Sequence, residues 1–464
     1  MSPLTNQRFV VWLKKKCRKF LLIRTLSIFH FLLNRKHGAI AIDDRTLSVI
    51  MGLSVFSRSS SIDHFNLCRT WENADTAHRN GNFFFANRLR RDVLEQLYIY
   101  NRIEQAYFPP LLSKEFFGPI GHHGILGFHV AAQRLGLLPR GTRLGFAPES
   151  IRANGLLKLY KPELEMVNSQ GGCNWTELPD VWHIAERMQM IRAQSDFVEM
   201  YDLMDQVFKT QVVNLENPLF TCDSTYLISA RKELERFGIS ESDWFIGLHI
   251  RNYGPSPAFR NQSLENYLPA IEEVTSRGGW VIRIGDDSMD KLPNLPRVID
   301  LVNTPNASSS LHLYVMSQAL FFIGTCSGPS TIPPLFGVPI LITNQVGIGH
   351  STLILSSNSF HLPKTYEKRD GTRAGLHEIL NSPFGFGQMS YEQFASQGIL
   401  IKENTSEEIR SAVIEMFLRI SGGPIPRDSE LQDKVNSIRD TIEWSSRGLI
   451  SNAFLTNNEK WYLN

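Results

Sequence analysis

Residues 319–343 read Ala319-Leu-Phe-Phe-Ile-Gly-Thr-Cys-Ser-Gly-Pro-Ser-Thr-Ile-Pro-Pro-Leu-Phe-Gly-Val-Pro-Ile-Leu-Ile-Thr343, and their pattern decides the fold class. Ala319 to Ile323 is an unbroken apolar run, which predicts a parallel strand covered on both faces. The small residues Gly324 to Gly328 then break the chain, and Pro329 suits a first helical position, where a missing N–H costs nothing. Gly337-Val338-Pro339 stops that helix and leads into a second strand, Ile340 to Thr343. The expectation is a helix start at the carboxyl end of a buried strand. Its N–H groups, Gly328 and the hydroxyls of Thr325, Ser327, Ser330 and Thr331 suit an anion, most often a phosphate. An unoccupied βαβ turn would read the same way on this stretch alone.

Outward from it, strands are expected over 244–251, 280–284 and 298–302, with helices over 264–277 and 309–318. Such alternation implies a parallel sheet with helical cover. Ligands of these sheets sit beyond the carboxyl ends of the strands. There the sequence supplies His249 and Arg251, then Arg283, Gly285 and Asp286, then Thr325, Ser327 and Gly328, then Thr343 and Asn344. Each arginine alone reads as a surface ion pair; together at one edge they suit a diphosphate. Towards the N-terminus the pattern repeats more faintly. It comprises a strand over 116–120, a turn Gly121-His122-His123-Gly124, a helix over 125–137, strands over 142–147 and 164–167, and helix over 151–160. After 345 order loosens. It returns with a strand at 398–402 and Thr405-x-x-Glu408, a capping box before a helix. A last helical segment over 428–447 is expected to cross back to the first half.

A chain of 464 residues exceeds one hydrophobic core and predicts two α/β domains, 111–215 and 216–425, with a C-terminal helical piece 426–464. The formal net charge of +2 gives no argument for nucleic acid. The five scattered cysteines fit a reducing compartment and argue against a structural zinc site. Charge is lopsided only over residues 1–40, within a basic amphipathic N-terminal segment 1–60 that precedes a helical lead-in over 61–110. No acid stands before Asp43, and the apolar run Phe20 to Leu33 is interrupted by Arg24. That run is too short for the ~20 residues of a spanning helix and lacks a small-residue cleavage site. It reads as an amphipathic helix on an anionic membrane surface through residues 1–40, or as a solvated helix packed on the protein itself. The first alternative puts the chain in the cytoplasm, peripheral on the inner face of the cell membrane.

Thr325-Cys326-Ser327-Gly328-Pro329 with Phe336-Gly337-Val338-Pro339 resembles the donor-phosphate loop of heptosyltransferases. Leu248-His249-Ile250-Arg251 resembles the strand end of fucosyltransferase-like enzymes whose arginine contacts the donor diphosphate. The second arginine and the downstream acid of that pattern are missing, so a GDP-fucose donor does not follow. More broadly, residues 115–420 resemble an uncharacterised family of bacterial GT-B glycosyltransferases associated with surface-polysaccharide biosynthesis. The likeness rests on Leu248–Arg251, Phe259-Arg260-Asn261, Glu265-Asn266-Tyr267, Trp280–Asp286, Phe322–Thr325 with Ser327-Gly328, Leu362-Pro363-Lys364, Lys402-Glu403-Asn404 and Glu407-Glu408-Ile409. Gly121-His122 and Ala153-Asn154 with Leu156-Leu157 extend it into the first half.

The resemblance implies an α/β fold with two Rossmann-like domains facing across a cleft, preceded by a helical N-terminal extension. It adds Arg260, Asn261 and Lys364 to the donor site. It also implies transfer of a sugar from a nucleotide-diphosphate donor to a glycan acceptor, lipid-linked at a membrane. Departure of the diphosphate needs charge stabilisation, which Arg251, Lys364 and the 325–331 segment would supply. Asp286-Asp287-Ser-Met-Asp290 lacks Asp-x-Asp spacing, so no metal and no cofactor beyond the donor is expected. If the reaction inverts the sugar, a base is needed, and His122 and His123 are the candidates. A nucleotide-sugar 2-epimerase and a non-catalytic membrane-surface binding module compete with this reading.

Overall fold

The computed structural model describes Asn73 and residues 111–112, 120–138, 142–146, 154–168, 190–193, 196–252, 260–304, 308–346, 358–382, 391–441 and 448–463. The expectations for 1–60 and, apart from Asn73, for 61–110 lie outside the described residues.

A seven-stranded, wholly parallel sheet organises the chain. Its strands are β6 (Phe245–Leu248), β7 (Trp280–Arg283), β8 (Val298–Asp300), β9 (Phe322–Gly324), β10 (Ile340–Gln345), β11 (Phe360–Pro363) and β14 (Leu449–Ile450), in the order β14-β11-β10-β9-β6-β7-β8. From β6 the chain winds outward through β7 to β8. It then returns to the other side of β6 with β9 and winds the opposite way through β10 and β11. This is the doubly wound order, and the direction reverses between β6 and β9.

The strands alternate sides residue by residue, as a period of two requires. Phe245, Ile282, Phe322, Ile340 and Ile342 enter one core. Ile246, Leu248, Val281, Ile323 and Leu341 enter another on the opposite face. Gly247 faces the first core because a Cβ there would stand 2.3 Å from the Phe322 ring, which is fully buried. Burying a side chain of that size contributes about 1.5–3 kcal/mol. The second core is covered by α5 (Leu268–Ser276), α9 (Ser406–Ile420), α10 (Asp428–Thr441) and α11 (Asn452–Tyr462). Thr405 and Glu408 close the expected capping box at the start of α9.

A smaller parallel sheet, β1 (Leu111–Leu112), β2 (Thr142–Phe146) and β3 (Leu164–Asn168), carries α1 (Ile120–Arg134) and α2 (Asn154–Tyr160). Two expectations are corrected here. Ile120 opens α1 instead of ending a strand, and Gly121 to Gly124 form that helix's first turn, not a loop. The reason is packing: Gly121, Gly124 and Gly127 recur on one helix face, which is pressed onto the segment after β9. A Cβ on Gly121 would lie 2.8 Å from Gly328 Cα, and one on Gly124 would lie 2.0 Å from Thr331 Oγ1. Leu126, Phe128, Leu156, Leu157 and Tyr160 consequently share one core with Phe322 and Ile340 of the large sheet.

The loosened region after 345 also holds more order than expected. β12 (Thr365–Lys368) pairs with β13 (Ile399–Lys402) in an antiparallel ribbon. β14 and α11 were not foreseen, and α10 packs against α11 and the short helix Leu376–Leu380.

Candidate functional site

His249 and Arg251 follow β6, and Thr325 to Ser327 follow β9, so the reversal of strand order brings them together. His249 is 1% exposed. Its Nδ1 lies 3.2 Å from Ile284 O and its Nε2 3.1 Å from Ser327 Oγ. Burial lowers its pKa to about 4, with Arg283 and Arg251 adding to the depression, while the Ile284 carbonyl and Asp286 oppose it. The ring is therefore neutral near pH 7. A carbonyl only accepts, so Nδ1 donates to Ile284, Nε2 accepts, and the Ser327 hydroxyl is the donor to it. The Arg251 N–H donates to Thr325 Oγ1 at 3.4 Å, and Gln262 N donates to Arg251 O at 2.8 Å. Gln262 Nε2 donates to Arg260 O at 2.8 Å, so one buried glutamine holds the backbones of both arginines. Asn261 lies between Arg260 and Gln262, half-buried.

The segment expected to act as a helix start is built differently. Gly328–Thr331 is a single 3-10 turn, followed by a second over Pro333–Phe336. Ser327 N donates to Thr325 O and Ser330 N to Ser327 O, while the Ser330 hydroxyl donates to Thr325 O at 2.7 Å. The Thr331 hydroxyl lies 3.0 Å from Gly121 O and 2.8 Å from Gly328 O. Its hydroxyls thus turn inward, α1 covers the turn, and no aligned helix dipole stands behind it. What the segment supplies is the seat for His249 and Arg251.

Four further residues expected at the phosphate are held by the fold as follows. Arg283, fully buried, donates to Asp290 O at 2.7 Å, to Asp300 Oδ2 at 3.1 Å and to Asn252 Oδ1 at 3.3 Å. Asp300 is its direct partner in the β7–β8 register. The guanidinium thereby anchors Asn252, the residue after Arg251. Asn344, also fully buried and at φ 53°, exchanges two 2.6 Å bonds with Asn404: each backbone N–H donates to the other's side-chain oxygen. Asn344 Nδ2 donates to Tyr267 OH at 3.2 Å, Tyr267 OH lies 2.6 Å from Thr343 Oγ1, and Asn404 Nδ2 donates to Pro363 O at 2.8 Å. Asp286 is exposed, and its carboxylate accepts from Ser288 in a local turn; Gly285 leaves room for Met289, whose sulfur would sit 2.5 Å from an added Cβ.

Lys364 follows β11 as a buried strand-tip residue whose N–H donates to Gln345 O at 3.1 Å. Burial pulls its pKa down to about 8, opposed by Glu403 and Cys326. Glu403 accepts from Ser263 N at 3.0 Å and Asn266 Nδ2 at 3.3 Å, which ties the segment after β13 to the one leading into α5. Tyr267, Asn266, Glu403 and Asn404 had carried the family resemblance without a role, and their contacts place them in the framework below Lys364. Gln262 and Asn252 had no sequence signal.

The proposed bases fare differently. His123 is fully buried in α1, and its carbonyl accepts from Tyr160 OH at 3.0 Å. His122 stands beside it in the first turn of α1; its side chain lies outside the described residues. Among the described residues, no three His, Cys, Asp or Glu side chains group closely enough to hold a metal ion, and no helix is long and apolar enough to cross a membrane.

No protein-family model and no curated protein matches the sequence. Among solved structures, a glycosyl transferase family 9 protein from Veillonella parvula superposes with a TM-score of 0.31 at 13% identity, covering 48% of this chain and 77% of that one. An overlap of that quality carries no argument about chemistry.

Proposed function

We propose that the chain is a glycosyltransferase that binds the diphosphate of a nucleotide sugar at the carboxyl edge of its seven-stranded sheet. The observation that carries this reading is the meeting of His249 and Arg251 with Thr325 and Ser327 at the point where strand order reverses. In this reading Arg251 and Arg260 face the departing diphosphate, with Lys364 from the neighbouring β11. His249 is a neutral positioning residue for Ser327, and Arg283 and Asn344 hold the strand tips in place. Residues 216–425 form the donor half. Residues 111–215 form the acceptor half, joined to it through α1 and facing it across a cleft beside the β6 and β9 tips. His122 and His123 are the candidate bases for an inverting transfer. The acceptor is a glycan, lipid-linked at the inner face of a bacterial membrane that residues 1–40 touch, and the product feeds surface-polysaccharide synthesis without a metal.

The test is a thermal-shift and calorimetric panel of UDP, GDP, ADP, CDP and inorganic pyrophosphate. At a hundredfold excess over Kd, a ligand of the native state adds about 2.7 kcal/mol of stability, a readily measured rise in midpoint. At least one nucleoside diphosphate should bind wild type, and Arg251→Ala should lose that binding while keeping its own unfolding midpoint. If none of the five ligands binds at millimolar concentration, or if Arg251→Ala binds as wild type does, the reading is wrong. Incubation with nucleotide sugars and no acceptor separates the epimerase, which alone returns an isomerised donor.

A further inference from the structure

At the opposite, amino edge of the large sheet lies a cavity of about 640 Å³. It opens between α4 (Ser224–Glu235) and the end of α6 (Ser309–Gln318), under the entries to β6 and β9. The rings of Phe220, Trp244, Tyr314 and Phe336, with Leu227 and Leu320, form the apolar part of its wall, and Arg231, Ser317 and Gln318 belong to the polar part. Its volume falls in the range of small-molecule sites, in which apolar surface binds the body of a ligand and polar groups orient it. The site proposed for the diphosphate is at the other ends of these strands, so this cavity is no part of it.

Arg231 supplies the chemistry. It lines the cavity, and its one hydrogen bond, from Nη2, goes to Ser240 O. Its Nε is buried without a partner, and no carboxylate among the described residues lies within ion-pair distance of it. Asp243, one of two acids in the lining, is already engaged: it accepts from Ser240 N at 2.7 Å and Ser240 Oγ at 2.8 Å, and it faces Arg297 at 3.9 Å. Glu241 is exposed, where water screens it. A guanidinium with no carboxylate partner among the described residues, at the wall of a cavity that also carries aromatic rings, is complementary to an anion attached to an apolar body. We propose that this cavity is a second binding site, for a small, flat, mostly apolar molecule bearing a single carboxylate or sulfonate-like group that pairs with Arg231.

The full-length chain allows a located test, because Cys222 lies in the cavity wall, its thiol directed at Ser317 Oγ at 3.6 Å, while Cys326 lies at the opposite edge of the sheet. Anilinonaphthalene sulfonate is a probe of the stated class, and phenylnaphthylamine is its uncharged counterpart. The sulfonate should bind wild type saturably at one per chain, raise the unfolding midpoint, and slow N-ethylmaleimide alkylation of Cys222 but not of Cys326. Arg231→Gln should weaken the sulfonate about tenfold or more, since charge-assisted hydrogen bonds are lost, and leave the neutral probe within about twofold. Four results would overturn the proposal: absence of saturable binding, a lowered midpoint, equal loss of both probes in the variant, or an unprotected Cys222. The wild-type protection experiment stands whether or not the variant folds, and nucleoside diphosphates serve as the non-competing control.

Discussion

Replacing Asn344 separates a ligand-binding role from a framework role. The sequence put this residue among the phosphate contacts, whereas the fold makes it one half of a reciprocal lock with Asn404. Asn344→Ala incurs two costs. At φ 53° an alanine lacks the local hydrogen bonding that lets asparagine occupy the left-handed region, which costs about 1–2 kcal/mol. Losing the side-chain oxygen also leaves the Asn404 N–H buried and unpaired, a further penalty of about 1–3 kcal/mol. The expected destabilisation is therefore about 2–5 kcal/mol. Asn344→Gly tolerates the backbone and keeps only the second cost, so it should sit about 1 kcal/mol above alanine. Urea unfolding followed by circular dichroism gives both values, provided the slope m is unchanged. The reasoning fails if alanine lies within about 0.5 kcal/mol of wild type or if glycine is the worse of the two. A variant of native stability that has lost affinity for pyrophosphate would restore the role read from sequence.

Acidification should unfold the protein well above ordinary carboxylate pKa values. Burial holds His249 and His129 down to about 4 and His361 to about 3. An unfolded histidine takes up its proton near pH 6.5, so the stability each contributes is whole above that pH and is lost as pH falls towards 4. The loss approaches roughly 3 kcal/mol per residue at 1.36 kcal/mol per pH unit, and urea midpoints measured from pH 7 to 4 should fall steeply. Glu415→Gln should cost about 3 kcal/mol in thermal unfolding, because the buried carboxylate accepts from Ser451 Oγ, Asn452 N and Ala453 N at the start of α11 and pairs with Arg419 at 2.8 Å. The same variant should open α11 to limited proteolysis. Gly124→Ala tests the seating of α1: helix propensity alone would favour alanine by up to about 1 kcal/mol. The added Cβ would meet Thr331 Oγ1 at 2.0 Å and its carbonyl at 2.7 Å, so a net loss of about 1–3 kcal/mol is expected, read from the same urea series.

What could be read from residues alone was whatever short-range chemistry decides. The apolar run at 319–323 and its neighbours mark strands of a parallel sheet, α6 occupies the expected span, and Thr405 and Glu408 close their cap because both partners lie within one turn. The list of strand-tip residues was legible too, since all of them stand within a few residues of the end of an apolar run. Which of them face a ligand was not. Arg283 finds Asp300 through the register of β7 and β8, Asn344 finds an asparagine 60 residues away, and the Ser330 and Thr331 hydroxyls bond Thr325 O and Gly121 O. His123 looked like a loop residue until three glycines on one helix face drew α1 onto the 328–335 segment. These outcomes depend on strand order and on close approach between distant segments, and periodicity in sequence carries neither. Local pattern specifies the elements and their polar ends; only the three-dimensional pairing decides whether a polar end meets another side chain or is left for a ligand.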